Sequence, residues 1–453
     1  MKAPVLIIGG GLAGLTAACY LADAGLRPVL VEKRLFLGGR AYSFRDRRHG
    51  WEVDNGQHVF LACCEEYIGF LRRLGMWERV YLQQRLRLTV RDKLTGRSVL
   101  QSGNLPPPFH LLGSLLRYRP LSLGEKMLAL YALARLYALD RSRWDLDAVP
   151  FGEWLRAHGQ TAHIIRNFWN LVLIPTLNEE ATKVSTDMAA MVFQTGFLAS
   201  REASAIGYLQ VPLSQVAEAA RTYVEARGGH IIAGRGTRSL WIQDGHVKGV
   251  ALDDHQTLEA DAVICAVPPR ELSSLLPSTW QDHPFFARLR RIQYSPIVNV
   301  HLWYEGQVMG EEMVSFLNSS LQWVFNKSRM WGLRAPHQHL DISLSAAHMW
   351  VEWPGRDLVD LLSKELMAFF PSARTKPLAN ALVVKQPYAT FRPLPGIAAL
   401  RPGPTTPVKG LFLAGDWTAT GWPATMESAV RSGRQAAQAI ISRLKGVRRT
   451  CKV

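Results

Sequence analysis

Residues 4–8 (PVLII) form an unbroken apolar run that stops at glycine. A run that is apolar at every position, rather than at alternate ones, predicts a parallel strand covered on both faces. Apolar positions then recur at helical spacing over 12–24 and end at Gly25, a natural helix stop. A second run at 28–32 (PVLVE) predicts the next buried strand. The first 32 residues thus read as a strand–helix–strand unit.

The pattern changes after residue 90. Leu105-Pro106-Pro107-Pro108 opens a loop, and 109–118 and 123–139 are apolar, helix-prone and flecked with Arg117, Arg119, Lys126 and Arg135. They read either as the packed helices of a substrate domain or as an amphipathic patch lying on a membrane. From 208 the α/β pattern returns: a helix over 210–227, then strands at 230–232, 239–243 and 246–252, the last two joined by an Asp244-Gly245 hairpin turn. Buried strands are expected at 262–266, 297–304 and 410–414, and helices near 358–370 and 424–445. The fold class expected is α/β: a Rossmann-type nucleotide-binding domain interleaved with a mixed α+β substrate domain. The first would be assembled from 1–90, 206–270 and 396–445, the second from 91–205 and 271–395.

Composition narrows the partners. The chain has 453 residues, 48% hydrophobic and 20% charged, which suits two folded domains. Lys plus Arg outnumber Asp plus Glu by 53 to 37, a net charge of +16. No nucleic-acid-binding module is visible, so a membrane surface is the anionic partner expected; an arginine-rich proteome would give the same balance with no partner at all. Cys19, Cys63, Cys64, Cys265 and Cys451 make no paired CxxC spacing, so no metal is expected and a reducing compartment is. Gly9-Gly10-Gly11 breaks the first apolar run, and no uninterrupted run of about 18 apolar residues follows. The expected location is therefore cytoplasmic, peripheral on the inner face of the membrane.

Three motifs carry the chemistry. Gly9-x-Gly11-x-x-Gly14 lies between the first strand and helix. Gly9 permits the tight turn, Gly11 lets a pyrophosphate approach the helix N-terminus that Leu12 and Ala13 open, and Gly14 lets helix and strand pack closely. Glu32, followed by Lys33, ends the second strand, where an acid accepts ribose hydroxyls. Gly38-Gly39-Arg40 follows, with Arg40 placed to pair with a diphosphate. Near the other end, Leu411-Phe412-Leu413-Ala414-Gly415-Asp416 sets Asp416 after a buried strand. Ala424, Thr425 and Met426 then open a helix whose free N–H groups can face the N1/C2=O edge of a flavin. Two glycine turns and a second helix start suit FAD better than NAD.

Together these motifs resemble the FAD-dependent amine oxidase and phytoene desaturase superfamily over nearly the whole chain, which implies a GR2-like flavoprotein fold. Asp54-Asn55-Gly56-Gln57-His58-Val59-Phe60 resembles the D-x-G-x-H segment of plant-type carotenoid desaturases, and the resemblance places Gly56, Gln57 and His58 beside FAD. Several stretches are similar to the squalene-associated branch, the hydroxysqualene dehydroxylases: Leu177-Asn178, Val211-Pro212-Leu213-Ser214, Tyr294-Ser295-Pro296-Ile297, His301-Leu302-Trp303, Gln322-Trp323-Val324-Phe325, Ala389-Thr390-Phe391 and Arg401-Pro402. Two positions depart from the pattern. Asn326 stands where an acid is expected, and Asn299 stands where many amine oxidases carry a lysine near the flavin, which argues against amine oxidation.

The resemblance implies an apolar isoprenoid substrate of the hydroxysqualene or squalene type, membrane-peripheral behaviour and an unnamed electron donor. The reaction implied is reductive dehydroxylation within triterpenoid (hopanoid or sterol-type) biosynthesis. A general acid protonates the leaving hydroxyl, and the allylic carbon receives hydride from the reduced cofactor. Asp54, His58 and Glu179 are the candidates for that acid, and each has a purely structural alternative; Glu179-Glu180 also reads as a solvated pair. Trp323, Phe325, Tyr294 and Phe391 are candidates for the substrate wall or for ordinary core. Two other readings stay open: a phytoene- or carotene-type desaturase running hydride the other way, and a non-catalytic prenyl-lipid carrier.

Overall fold

The computed structural model describes residues 4–47 and 49–450. Five all-parallel strands form one sheet in the order His230–Ala233, Val29–Glu32, Val5–Ile8, Ala262–Cys265, Leu411–Leu413. Four of them are the apolar runs expected to be buried on both faces, and Ile7, Leu30, Ile264 and Leu413 are fully enclosed. Three distant stretches of chain thus converge on one Rossmann-type sheet. Helix Leu12–Asp23 lies against helices Ser214–Glu225 and Met426–Thr450. Its contact with the last is close enough that a Cβ on Gly433 would lie 2.2 Å from the Ala13 carbonyl oxygen.

A second sheet has seven strands: Leu378–Phe391, Tyr294–Glu305, His337–Leu344, Trp323–Asn326, Met313–Leu317, Arg87–Asp92 and Gly96–Gln101. All its neighbours are antiparallel except the pair Met313–Leu317 and Arg87–Asp92. The boundary placed at residue 90 therefore falls inside a strand. Side chains alternate across this sheet. Val298, Val300, Leu302, Leu340 and Ile342 pack beneath helix Gly355–Phe369. The opposite face carries Asn299, His301, His339, Asp341, Trp323 and Phe325, and there the Asn299 side chain presses on Gly56.

Helices between 112 and 198 form a third layer around Phe151, Trp169 and Phe193. Residues 109–118 hold less helix than expected: a 3-10 turn at Phe109–Leu111, then only Leu112–Leu116. The helix expected from 210 begins at Ser214, because Pro212 disfavours helical backbone in the residue before it. Helix Leu123–Tyr137 starts at a Ser122/Glu125 capping box and buries only Ala129, Ala132 and Leu136. Its solvent side carries Leu123 (70% exposed), Met127 (56%) and Tyr131 (53%), near exposed Phe109 and Leu116. The helix thus packs through Ala129, Ala132 and Leu136, with Leu130 and Leu133 partly buried against the core, and leaves Leu123, Met127 and Tyr131 outward. Among the described residues, no helix is long and apolar enough to cross a membrane.

Candidate active site

The glycine turn has the shape that its spacing implies. Gly9 sits at φ +103°, and a Cβ on Gly14 would lie 2.0 Å from the Gly9 carbonyl oxygen, so both positions need glycine. Gly11 differs: its backbone is extended (φ −78°, ψ 177°), and a Cβ there would meet only the Gly39 Cα at 3.7 Å. The space beside Gly11 is free of protein. The first-turn N–H groups of Leu12, Ala13 and Gly14 have no carbonyl within the helix to bond, and Gly11 has no side chain to cap them. Glu32 ends its strand nearly buried, accepting from the Gly10 N–H at 2.7 Å and the Arg34 N–H at 2.9 Å. Each carboxylate oxygen keeps a lone pair for a ribose hydroxyl. Lys33 is exposed just beyond it.

The second turn meets the C-terminal motif directly. Arg40 donates from Nη2 to the Asp416 carboxylate and from Nη1 to the Ala389 carbonyl at 3.0 Å. Both Nη groups, expected on a diphosphate, are here directed to protein acceptors, and Asp416 is likewise engaged. Gly39 stands close against Gly11, and Gly415 takes φ +145°. Arg401, which the sequence reading left without a role, points into the loop 416–422. It donates to the carbonyls of Asp416 (3.1 Å), Trp417 (3.4 Å), Thr418 (2.6 Å) and Trp422 (2.6 Å) and to Thr420 Oγ1 (3.3 Å). Burial lowers its pKa to about 10, against the opposing charge of Asp416. Helix Met426–Thr450 begins at Met426 rather than Ala424, and Thr425 Oγ1 accepts from the Ser428 N–H. An open helix N-terminus, a protein-free space at Gly11 and an acid at the strand end fit the pyrophosphate and ribose of FAD.

Loop 54–58 forms the other wall. Asp54 is buried and accepts from Ser43 Oγ (2.7 Å), the Leu213 N–H (3.1 Å) and Lys327 Nζ (2.7 Å). Lys327 is itself fully buried; it also donates to Gln57 Oε1 at 2.7 Å and lies 4.0 Å over the Trp331 ring. Sequence reasoning missed Lys327, because a lysine beside a serine and an arginine looks like surface. Asn326, where an acid was expected, caps the short helix Lys327–Met330 through the Arg329 N–H and so sets Lys327 in place. His58 bonds through Nδ1 to the Gly56 carbonyl at 2.9 Å. A carbonyl only accepts, so Nδ1 carries the hydrogen and Nε2 of the neutral ring keeps a free lone pair. Burial pushes the pKa of this imidazole down, favouring that neutral form.

Glu179 lies elsewhere. It is fully buried rather than one of a solvated pair: it bonds Arg392 Nε at 2.5 Å and lies 3.7 Å from His348 Nε2. Glu180 is half-exposed and pairs with Lys183. Ser295 contacts His348 at 3.2 Å, four residues along the strand from Asn299, a separation of roughly 13 Å. The structure therefore brings Asp54, Gly56, Gln57 and His58 together and leaves Glu179 in a separate cluster. Asp54 is paired with the buried Lys327, and Glu179 with the partly exposed Arg392. Both carboxylates, expected as candidates for a general acid, are here turned to cations of the protein itself.

A family profile described as flavin containing amine oxidoreductase matches residues 12–441. The chain is 26% identical over 458 residues to the 15-cis-phytoene desaturase of Synechococcus elongatus, covering 97% of this chain and 96% of that protein. It is 27% identical over 454 residues to the chloroplastic/chromoplastic 15-cis-phytoene desaturase of Solanum lycopersicum, covering 96% and 77%. A solved oxidoreductase from Methanosarcina mazei shares the fold at TM-score 0.73 and 18% identity, over 98% of this chain and all of that one.

Proposed function

This chain belongs to the flavin containing amine oxidoreductase family, and on that premise we propose that it moves a hydride between FAD and a long, apolar isoprenoid. The observation that carries the substrate class is one sheet face. Trp323 stacks on Phe325 with ring centroids 5.7 Å apart, and Phe325 lies opposite Met313 on one side and Asp341 on the other. An aromatic wall thus runs up to the polar groups beside loop 54–58, which suits a hydrocarbon chain with one reacting end.

Bound FAD supplies the two-electron chemistry. The N–H groups of Leu12, Ala13 and Gly14 would hold its pyrophosphate and Glu32 its ribose, while the Arg40–Asp416 pair joins the two glycine-rich ends. Relatives of nearly full length named as phytoene desaturases favour desaturation. For that direction bound FAD would supply the hydride-accepting chemistry, and the free Nε2 of His58 would take the proton that the substrate loses with the hydride. Asp54 and Lys327 hold the loop that carries it.

A second reading, reductive dehydroxylation of hydroxysqualene to squalene, draws on a different contact. Asn178, in left-handed backbone at φ +53°, donates from Nδ2 to the Ser295 carbonyl (3.1 Å) and to Thr390 Oγ1 (2.9 Å). Three of the stretches that resemble the squalene-associated branch meet at that one side chain. The peripheral membrane location remains part of the proposal. It rests on the outward Leu123, Met127 and Tyr131 with Arg117 and Arg135 nearby, facing an anionic inner leaflet.

One anaerobic experiment separates the readings. Phytoene is offered to the oxidised flavoprotein, and hydroxysqualene to the photoreduced one. Bleaching of the flavin band with a coloured polyene establishes desaturation; reoxidation with squalene formed establishes dehydroxylation. No response to either refutes the isoprenoid reading.

A further inference from the structure

The exposed stripe of helix Leu123–Tyr137 ends in a cation beside a cavity. Leu123, Met127, Tyr131 and Arg135 follow one another at four-residue spacing and so share one face of the helix, and all four are exposed. At a rise of about 1.5 Å per residue the stripe runs about 18 Å from Leu123 to Arg135. A cavity of about 290 Å³ opens at the Arg135 end. Leu139, Leu146 and Val149 give it apolar walls, and the stacked rings of Trp154 and His158, 3.9 Å apart at their centroids, give it a flat one. The Tyr131 ring meets the His158 ring at 6.1 Å, which joins the stripe to that wall.

The charges around the cavity single out one group. Arg143 also lines it, but Asp145 holds Arg143 through Nε (3.1 Å) and Nη2 (2.6 Å), which makes a neutral pair. Arg135 makes no hydrogen bond, ion pair or ring contact with any described residue. The last carbonyls of a helix repel an anion, but here those of Leu136 and Leu139 each accept from Gln194 Nε2 at 2.8 Å. His158 Nδ1 bonds the Trp154 carbonyl at 2.7 Å and fixes the stacked wall. One uncommitted guanidinium thus stands at the mouth of an apolar cavity. A guanidinium fork matches two oxygens of a phosphate. A single charge matches a phosphodiester better than a phosphate monoester, which carries nearly two.

We propose that this cavity holds the headgroup of an anionic glycerophospholipid of the phosphatidylglycerol kind. Arg135 pairs with the phosphodiester, the glycerol backbone lies on Leu139, Leu146 and Val149, and the acyl chains leave along Tyr131, Met127 and Leu123 into the bilayer. A headgroup bearing an ammonium would set a further cation beside Arg135 and Arg143, so zwitterionic lipids fit less well. The site rests on the peripheral membrane location proposed above and sharpens it: one lipid is held at a defined place, whereas a diffuse basic surface holds none in particular.

Two assays on the FAD-loaded protein test it. Isothermal titration with dihexanoylphosphatidylglycerol, below its micelle concentration, reads the site without a bilayer. Flotation on vesicles of phosphatidylcholine with phosphatidylglycerol reads membrane binding. Wild type should bind the short-chain lipid one to one, and dihexanoylphosphatidylcholine and inorganic phosphate at least tenfold more weakly. Arg135→Gln should weaken binding of the short-chain phosphatidylglycerol by on the order of tenfold to a hundredfold, the yield of one hydrogen bond to a charged group. Its FAD content and melting temperature should match wild type, since Arg135 has no described partner to lose. Leu139→Trp keeps the charge, fills the cavity and should weaken binding as much. Arg117→Gln removes a nearby charge outside the cavity; it should leave the titration unchanged and weaken vesicle binding by about fivefold. Inorganic phosphate or the phosphatidylcholine bound as tightly as the phosphatidylglycerol, no binding of the short-chain lipid, or wild-type affinity in both cavity variants overturns the headgroup site and leaves the membrane location standing. A wild type that does not float with the anionic vesicles overturns the membrane location and the site with it.

Discussion

The protein-free space beside Gly11 gives the cofactor assignment its sharpest consequence, because two glycines three residues apart should fail in different ways when replaced. At Gly11 the backbone is extended and a Cβ would touch only the Gly39 Cα, at an ordinary 3.7 Å. Gly11→Ala should leave the apoprotein's melting temperature unchanged, because nothing in the protein has to move. It does, however, put a methyl group where a pyrophosphate must approach the N–H groups of the helix. Losing two such charge-assisted hydrogen bonds, at about 1.5–3 kcal/mol each, costs about 3–6 kcal/mol of FAD binding. FAD affinity should then fall by roughly a hundredfold to ten-thousandfold, and the larger side chain of Gly11→Val should abolish retention. At Gly14 the Cβ would lie 2.0 Å from the Gly9 carbonyl oxygen, so helix or turn must shift. That is overpacking, at about 1–3 kcal/mol or more, and it lowers stability with or without FAD. The assay pairs the flavin-to-protein absorbance ratio and a fluorimetric FAD titration with thermal melts of the apoproteins. A Gly11→Val protein that purifies fully yellow would refute the assignment. A Gly11→Ala apoprotein that melts as low as Gly14→Ala would refute the claim that the space is kept for a ligand.

Four further outcomes follow from the same geometry. Lys327→Met strands the buried Asp54 carboxylate and should cost about 3–5 kcal/mol. With an unfolding entropy of roughly 0.95 kcal/mol/K, about 2.1 cal/mol/K for each of 453 residues, the melt should move down by about 3–5 °C; a shift below about 1 °C would show that the pair contributes nothing. Arg401→Gln should free the loop 416–422 and raise the FAD dissociation rate at least tenfold, measured as the rise of free-flavin fluorescence on dilution; an unchanged rate removes Arg401 from cofactor positioning. Burial holds the folded pKa values of His301 and His339 below the ordinary value. As pH falls below about 6.5 the unfolded chain therefore binds protons that the folded one does not, and stability drops by up to about 1.4 kcal/mol per pH unit for each histidine; His339→Phe should flatten that limb of the melting-temperature profile between pH 6.5 and 5. Leu123→Glu with Met127→Glu should release the protein from anionic vesicles in a flotation assay without changing its melt; retention on the vesicles would refute the docking face.

What the sequence made legible, and what it hid, divides along a physical line. The Rossmann-type sheet could be read because its strands are apolar at every position and its turns need glycine, both local signals. Val5–Ile8, Val29–Glu32, Ala262–Cys265 and Leu411–Leu413 fall within or beside the runs expected. The seven-stranded sheet was read only in part, because its inner face is polar. Asn299, His301, His339 and Asp341 interrupt the apolar pattern where the sheet faces the site, so periodicity marks them as surface when they are buried. Lys327 was hidden for the same reason: its partners Asp54 and Gln57 are 273 and 270 residues away, and only the fold turns a lysine of surface appearance into the counter-ion of the loop. Asp54 and Glu179 were singled out as carboxylates near the cofactor motifs, but spacing along a chain cannot show that one pairs with the buried Lys327 and the other with Arg392. The groups that pattern reading passes over are those whose burial is paid for by a distant partner, or by a ligand. His301 Nε2 and Asp341 Oδ2 have no hydrogen-bond partner, and unpaired groups buried in this way lower stability rather than raise it.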